Sequence, residues 1–235
     1  MHDDKLGWPV PNWTPPRSPD AVLLTGRFAQ LERLSADHAA DLHAANSESD
    51  AIWDYLPYGP FDLPGQVAWV DSMAAKSDPY FYAIRDLGTG RSVGVASYLR
   101  IDPAAGSIEV GHITYSPALQ RTAAATEAMF LMMDWAFSAG YRRYEWKCNA
   151  LNIPSRRAAE RLGLSFEGVF RQATIVKGRN RDTAWYAAID QEWPVLKAAY
   201  RRWLAPANFG PDGAQRESLA DLTAPILVTR DPARG

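Results

Sequence analysis

The chain has a single cysteine, Cys148, among 235 residues. One thiol excludes an intrachain disulfide framework and a cysteine-based zinc site, and it makes a reducing, cytoplasmic setting the natural expectation. Long apolar runs are missing too. None approaches the roughly 20 residues needed to cross a bilayer, so no membrane partner is expected. Neither sign of charge is in excess: a formal net charge of -2 supplies no general field for nucleic acid or anionic lipid. Any anionic ligand must then be held by a local arrangement of donors. The first 20 residues lack a basic start followed by an apolar stretch, which argues against a secretory signal. No G-x-G-x-x-G follows a strand pattern, which counts against a Rossmann-type nucleotide site.

What is present is enough apolar material (47% of residues) for a sizeable core. Five prolines in residues 1–20 mark an irregular N-terminal arm. Residues 21–34 alternate as a first strand, Ser35–Asp37 caps an alanine-rich helix ending near Ser47, and a second helix covers Pro64–Lys76. Tyr80–Arg85, Ser92–Ile101 and Ser107–Tyr115, separated by short turns bearing Gly or Pro, read as an antiparallel meander. Gly94 and Gly111 fall inside these strands, where glycine marks a bulge or a close backbone approach. A long buried helix over Ala123–Ser138 follows, then a strand at Tyr144–Asn149, a helix at Pro154–Leu162, strands from Ser165 and over Thr183–Asp190, and an amphipathic helix over Glu192–Leu204. The tail beyond Pro206 shows little periodicity. This order predicts one α/β domain of the α+β type over residues 21–205, flanked by the arm (1–20) and a C-terminal extension (206–235). An antiparallel first half is joined to a β-α-β crossover.

The turn from Tyr115 into the long helix carries the chemistry. A helix N-terminus presents unpaired N–H groups and the positive end of the helix dipole, both of which favour a phosphate. The residues after Arg121 are small, so a pyrophosphate can approach the backbone. Taken alone, Thr122-Ala-Ala-Ala reads first as the plain start of a good helix, since alanine has the highest helix propensity.

Two segments shift that balance. Gln120-Arg-Thr-Ala123-Ala-Ala125 resembles the pyrophosphate loop, Gln/Arg-x-x-Gly-x-Gly/Ala, of GNAT-superfamily acetyltransferases. Asn152-Ile-Pro-Ser155-Arg-Arg157-Ala-Ala-Glu160-Arg-Leu-Gly163-Leu-Ser-Phe-Glu-Gly168 is similar to the N-x-x-S-x-R…L-G-F…G run of the RimJ/RimL branch. The resemblance spans about Val22–Asp190. It implies a mixed, mainly antiparallel central sheet with helices on both faces and a splayed parallel strand pair, Ser107–Tyr115 beside Tyr144–Asn149. It also implies that acetyl-CoA lies in the splay, with its pantetheine arm along Ile113, Thr114 and Tyr115. Its pyrophosphate would meet the N–H groups of Gln120, Arg121, Thr122, Ala123, Ala124, Ala125 and Thr126. Ala123 stands where the family usually has glycine; it is strained if φ there is positive and harmless if the position is already helical.

The implied reaction is direct acetyl transfer to a primary amine, with backbone donors polarising the thioester carbonyl and no metal. By resemblance, Ser155 is the general acid toward the departing thiolate, Asn152 orients the cofactor and Arg157 neutralises a CoA phosphate. An attacking lysine-type amine has a pKa of about 10.4 and an α-amine about 7.7–8.0, so a base or water relay is useful. Glu109 is the leading base and His112 the next; their strand parity is opposite, so one of the two is expected to face the cleft. The aromatic group Trp53, Tyr55, Tyr58 and Trp69 falls where such enzymes line the acceptor side. The acceptor is a small molecule or a peptide or protein N-terminus, and the chain a monomer or homodimer. The alternative is a CoA-binding sensor or interaction module without catalysis.

Overall fold

In the computed structural model, which describes residues 7–234, eight strands form one sheet in the order β1-β2-β3-β4-β5-β6-β8-β7. The strands are β1 (Leu23–Thr25), β2 (Ala29–Arg33), β3 (Tyr80–Asp86), β4 (Arg91–Asp102), β5 (Ser107–Tyr115), β6 (Arg143–Asn149), β7 (Ser165–Val176) and β8 (Arg179–Ile189). All neighbours are antiparallel except β5 and β6. The helices are α1 (Ala39–Asn46), α2 (Leu63–Ala74), α3 (Ala123–Ser138), α4 (Ile153–Arg161), α5 (Trp193–Leu204) and α6 (Leu219–Thr223). This is the mixed, mainly antiparallel architecture the resemblance implies.

The two faces of the sheet are covered differently. On one, Ile108, Val110, Tyr144 and Tyr186 pack with Met129 and Met132 of α3, Ala159 of α4 and Leu162 just after it, and Trp193 and Leu196 of α5. On the other, Phe81, Ala83 and Val95 meet Leu42 of α1 and Val70 of α2. The buried helix α3 follows from its alanine- and methionine-rich run, opened by Thr122, whose side chain caps the N–H of Ala125.

The first strand of the sequence is broken into β1 and β2 by a turn at Gly26. A Cβ on Gly26 would lie 2.3 Å from the Glu127 carboxylate. That carboxylate is buried and accepts the N–H groups of Arg27 (2.9 Å), Phe28 (2.5 Å) and Ala29 (2.8 Å). The arm and the tail both lie on the domain. Trp13 Nε1 donates to the Ala104 carbonyl and the Tyr141 hydroxyl to that of Arg17. In the tail, Asp231 pairs with Arg156 and accepts from the Tyr186 hydroxyl. α6 packs on α4 and α5 although its short sequence lacks periodicity.

Glu127→Ala leaves three backbone donors without an acceptor, at about 1–3 kcal/mol per buried group. A loss of about 3 kcal/mol in unfolding free energy is expected, read from the urea midpoint at unchanged m-value.

Candidate functional site: a splayed strand pair and the start of a helix

β5 and β6 pair in register from Ser107↔Arg143 to Val110↔Trp146 and no further. Beyond that point β5 runs to Tyr115 and β6 to Asn149 without ladder pairs between them, so the β6-facing groups of β5 have no strand partner. An extra residue drives the divergence. Between the pairs Ser97↔Gly111 and Val95↔Thr114, β5 spends three steps against two of β4. The excess falls at Gly111-His112, where His112 has φ +51°, a β-bulge. Gly94 permits it: a Cβ there would lie 2.8 Å from the Thr114 carbonyl oxygen.

The bulge overturns the parity expected for Glu109 and His112. Ile108 and Val110 face the α3 core, and so do Ile113 and Tyr115; alternation therefore slips by one across the bulge. His112 turns to the α1–α2 face, against Phe81 (ring centroids 5.2 Å) and stacked on Tyr58 (5.7 Å). Glu109, before the bulge, lies on that face as well, so both side chains are on the α1–α2 side.

Their states differ. Glu109 is buried and both oxygens are engaged, by Arg100 Nη1 at 2.7 and 2.8 Å and by Lys147 Nζ at 2.8 Å. Lys147 also meets Glu145 at 2.7 Å and lies 3.7 Å from the Trp185 ring centroid. A carboxylate so committed serves as the centre of an ion cluster rather than as a free base. His112 Nδ1 is 3.1 Å from the Tyr58 hydroxyl. Burial, reinforced by the charges of Arg100, Lys76 and Arg181, lowers its pKa from 6.5 to about 4, so it is neutral at pH 7.

On the α3–α4 side, the N–H groups of Gln120, Thr122 and Ala125 are taken by Ser116 O, Leu119 O and Thr122 Oγ1. Thr126 lies beyond the unpaired first turn, where its N–H enters the helical ladder, and its hydroxyl accepts from Arg161. Arg121, Ala123 and Ala124 are left as donors. Positive φ falls on Arg121 (+62°), while Ala123 is the first helical residue; alanine in place of glycine is therefore unstrained. A cleft of about 320 Å³ opens beside Thr122–Ala124, with Arg27 at its rim.

Asn152 caps α4 by accepting the Ser155 N–H at 3.1 Å. Ser155 Oγ accepts from Trp146 Nε1 at 3.0 Å, which leaves its own proton to donate. It lies next to Cys148, whose thiol burial pushes up in pKa, so that thiol stays protonated. Arg157 is exposed, whereas its neighbour Arg156 is buried on Asp231.

Of the aromatic group, Trp53, Tyr58 and Trp69 come together over β5, joined by Phe61. Tyr55 lies apart, its hydroxyl on the Leu151 carbonyl. Gly59 turns beneath Trp53 with φ +71°, where a Cβ would meet the indole at 2.3 Å. Lys177, at the tip of the β7–β8 hairpin, reaches the carbonyls of Trp53 (3.0 Å) and Gly59 (3.4 Å) and ties the hairpin to the aromatic cluster. Sequence reasoning missed Lys147 and Arg181. The signal was available in the spacing Glu145-x-Lys147 and Arg181-x-x-x-Trp185, charged and aromatic residues on one strand face. Among the described residues no group of three His, Cys, Asp or Glu side chains is placed to hold a metal ion, and no helix is long and apolar enough to cross a membrane.

Comparison with known proteins agrees with this geometry. The sequence model of the GNAT acetyltransferase domain matches residues 29–165. A GCN5-related N-acetyltransferase from Brucella melitensis is 45% identical over 92% of this chain and 100% of its own, with a TM-score of 0.89. A probable acetyltransferase of the GNAT family from Chromobacterium violaceum is 39% identical over 79% of this chain and 94% of its own, with a TM-score of 0.74. The ribosomal L7/L12 α-N-protein acetyltransferase RimL, solved with coenzyme A, shares the fold at 20% identity and a TM-score of 0.62, over 71% of this chain and 97% of its own. No curated protein sequence matches.

Because the native pKa of His112 lies below its unfolded value, the unfolded chain binds more protons between about pH 6.5 and 4. Stability contributed by neutral His112 is complete above pH 6.5 and is lost as pH falls toward 4, by up to about 3 kcal/mol. His112→Asn, which tolerates positive φ, should flatten this part of the stability–pH curve in a thermal-unfolding series. An unchanged slope would place the titrating group elsewhere.

Proposed function

This chain belongs to the GNAT acetyltransferase family, and on that premise we propose that it is an N-acetyltransferase that moves an acetyl group from acetyl-CoA to a primary amine. The observation that carries the reading is the divergence of β5 and β6 beyond Val110–Trp146, beside the free N–H groups at the start of α3. Bound acetyl-CoA supplies the activated acetyl thioester.

The residues fit that cosubstrate. The unpaired edge of β5 at Ile113–Tyr115 offers backbone partners to a pantetheine amide, and the N–H groups of Arg121, Ala123 and Ala124 offer a pyrophosphate site free of side-chain bulk. Asn152, with its carbonyl spent on the α4 cap, has its amide nitrogen left to donate. Arg157, exposed on α4, adds a cation for a phosphate. Ser155 holds a proton on the side of the splay where the sulfur leaves: the amine nitrogen bonds the acetyl carbon, the C–S bond breaks, the thiolate takes the hydroxyl proton, and the proton given up by the nitrogen returns to the serine oxygen through water. Glu109 acts by fixing Arg100 and Lys147 at the vertex of the splay. A neutral amine is then obtained through water or by using an acceptor whose own pKa is near 8. The Asn152–Ser155–Arg157 arrangement supports the RimJ/RimL-like branch, to which the distant fold likeness of RimL adds only shape. The cytoplasm is the compartment proposed for this reaction.

Thiol release from acetyl-CoA with a panel of amines tests the reading. Ser155→Ala is expected to lower kcat about 100-fold with the acetyl-CoA KM within about twofold, a general-acid signature. Asn152→Asp keeps the helix cap, so its melting temperature should hold, while acetyl-CoA affinity drops about tenfold by calorimetry. Binding of acetyl-CoA with no thiol release on any amine would favour the non-catalytic alternative.

A further inference from the structure

On the α1–α2 face Arg181 is a partly buried cation with no carboxylate at ion-pair distance among the described residues. Along β8, Ala184, Tyr186 and Ala188 point into the α3 core, so Arg181, Thr183 and Trp185 face the other way, toward Glu109, Lys147 and His112. Arg181 makes no hydrogen bond or ion pair with any described residue, and its Nε is buried without an acceptor. Around it the charges are matched. Arg100 and Lys147 hold Glu109, Lys147 and Arg143 hold Glu145, and Arg143 also holds Glu167. Lys177 is spent on two carbonyls, and Tyr58 and His112 are paired with each other.

The same face holds two more donors with no acceptor, Trp69 Nε1 and Trp185 Nε1. Arginine and tryptophan nitrogens donate only. The face is thus rich in unspent donors, while its carboxylates are committed. Arg181 sits two residues beyond the Thr183↔Asn149 pair that ends the β6–β8 ladder, and its charge, after those of Arg100 and Lys76, helps keep the His112 ring neutral. A planar guanidinium in this position matches a carboxylate or phosphate in a two-point contact.

Resting on the acetyl-transfer reading, the geometry points to an acceptor amine that carries its own anionic oxygen group, a carboxylate or a phosphate, held by Arg181 while the amine is presented at the splay. Arg181 is then the specificity-determining residue for the acceptor.

The test uses matched amines: L-phenylalanine against L-phenylalaninamide for a carboxylate, and O-phosphoethanolamine against ethanolamine for a phosphate. Thiol release is measured with each, and so is calorimetric binding in the presence of CoA. The wild-type protein is expected to favour the anionic member of at least one pair tenfold or more in kcat/KM, and the pair that responds identifies the group. Arg181→Gln should abolish the preference with acetyl-CoA affinity within twofold, and Arg181→Lys should restore part of it. Equal use of both members, preference for the neutral one, or a preference that survives in Arg181→Gln overturns the inference while acetyl transfer stands. If acetyl-CoA binds and no amine releases thiol, acetyl transfer fails instead, and calorimetry alone decides. Binding of the anionic member that Arg181→Gln removes supports the anion site; its absence or persistence overturns it.

Discussion

The structure turns on one extra residue in β5. A sheet pairs its backbone groups continuously unless something interrupts the register, and here the Gly111-His112 bulge does so one step after the last β5–β6 pair. Three consequences follow from that single insertion. The strands separate, the β6-facing backbone of Ile113–Tyr115 is released, and every side chain beyond the bulge changes face. The vertex is held by ionic contacts. Glu109 and Glu145 are register partners across the parallel pair, and Lys147 bridges them while Arg100 closes the other side of Glu109. Buried charges are tolerated only when matched in this way, since removing one partner of a buried pair typically costs about 3–5 kcal/mol.

The open strand pair separates two chemical environments. Toward α3 and α4 there are backbone donors, a helix-capping asparagine and a serine hydroxyl hydrogen-bonded to the Cys148 thiol, which suit a phosphorylated thioester carrier. Toward α1 and α2 there are stacked rings, a neutral histidine and an unmatched guanidinium, which suit a small organic acceptor. Polar chemistry on the first face comes from helix starts; on the second it comes from side chains of β5, β6 and β8. The C-terminal residues stabilise the first environment from behind: Asp231 neutralises Arg156, and Thr223 Oγ1 donates to the last carbonyl of α4, that of Arg161. The segment beyond residue 205 therefore supports the helix that presents Asn152 and Ser155.

Much of this was legible in the sequence because the elements obey local rules. α3 begins and ends where the apolar run predicts, and β5 occupies the expected residues. Gly94 was rightly suspected of close backbone approach. The parity of His112 was not legible, since a bulge adds one residue without altering composition. Nor was the state of Glu109, because its partners Arg100 and Lys147 come from different strands and only the tertiary fold brings them together. The break at Gly26 depends on Glu127, about 100 residues away in sequence. Arg156 and Arg157 are adjacent and identical in type, and only the docking of Asp231 decides which is buried. α6 is held by contacts that its short sequence does not announce.

The most direct test of the account is a crystal structure of the protein with CoA. The account predicts the pantetheine arm between β5 and β6 beyond Val110, backbone-paired to Ile113–Tyr115, and the pyrophosphate on the N–H groups of Arg121, Ala123 and Ala124. It also predicts that the sulfur lies within reach of Ser155 Oγ. CoA bound at another surface, or a β5–β6 gap that stays unentered at saturating CoA, would contradict it.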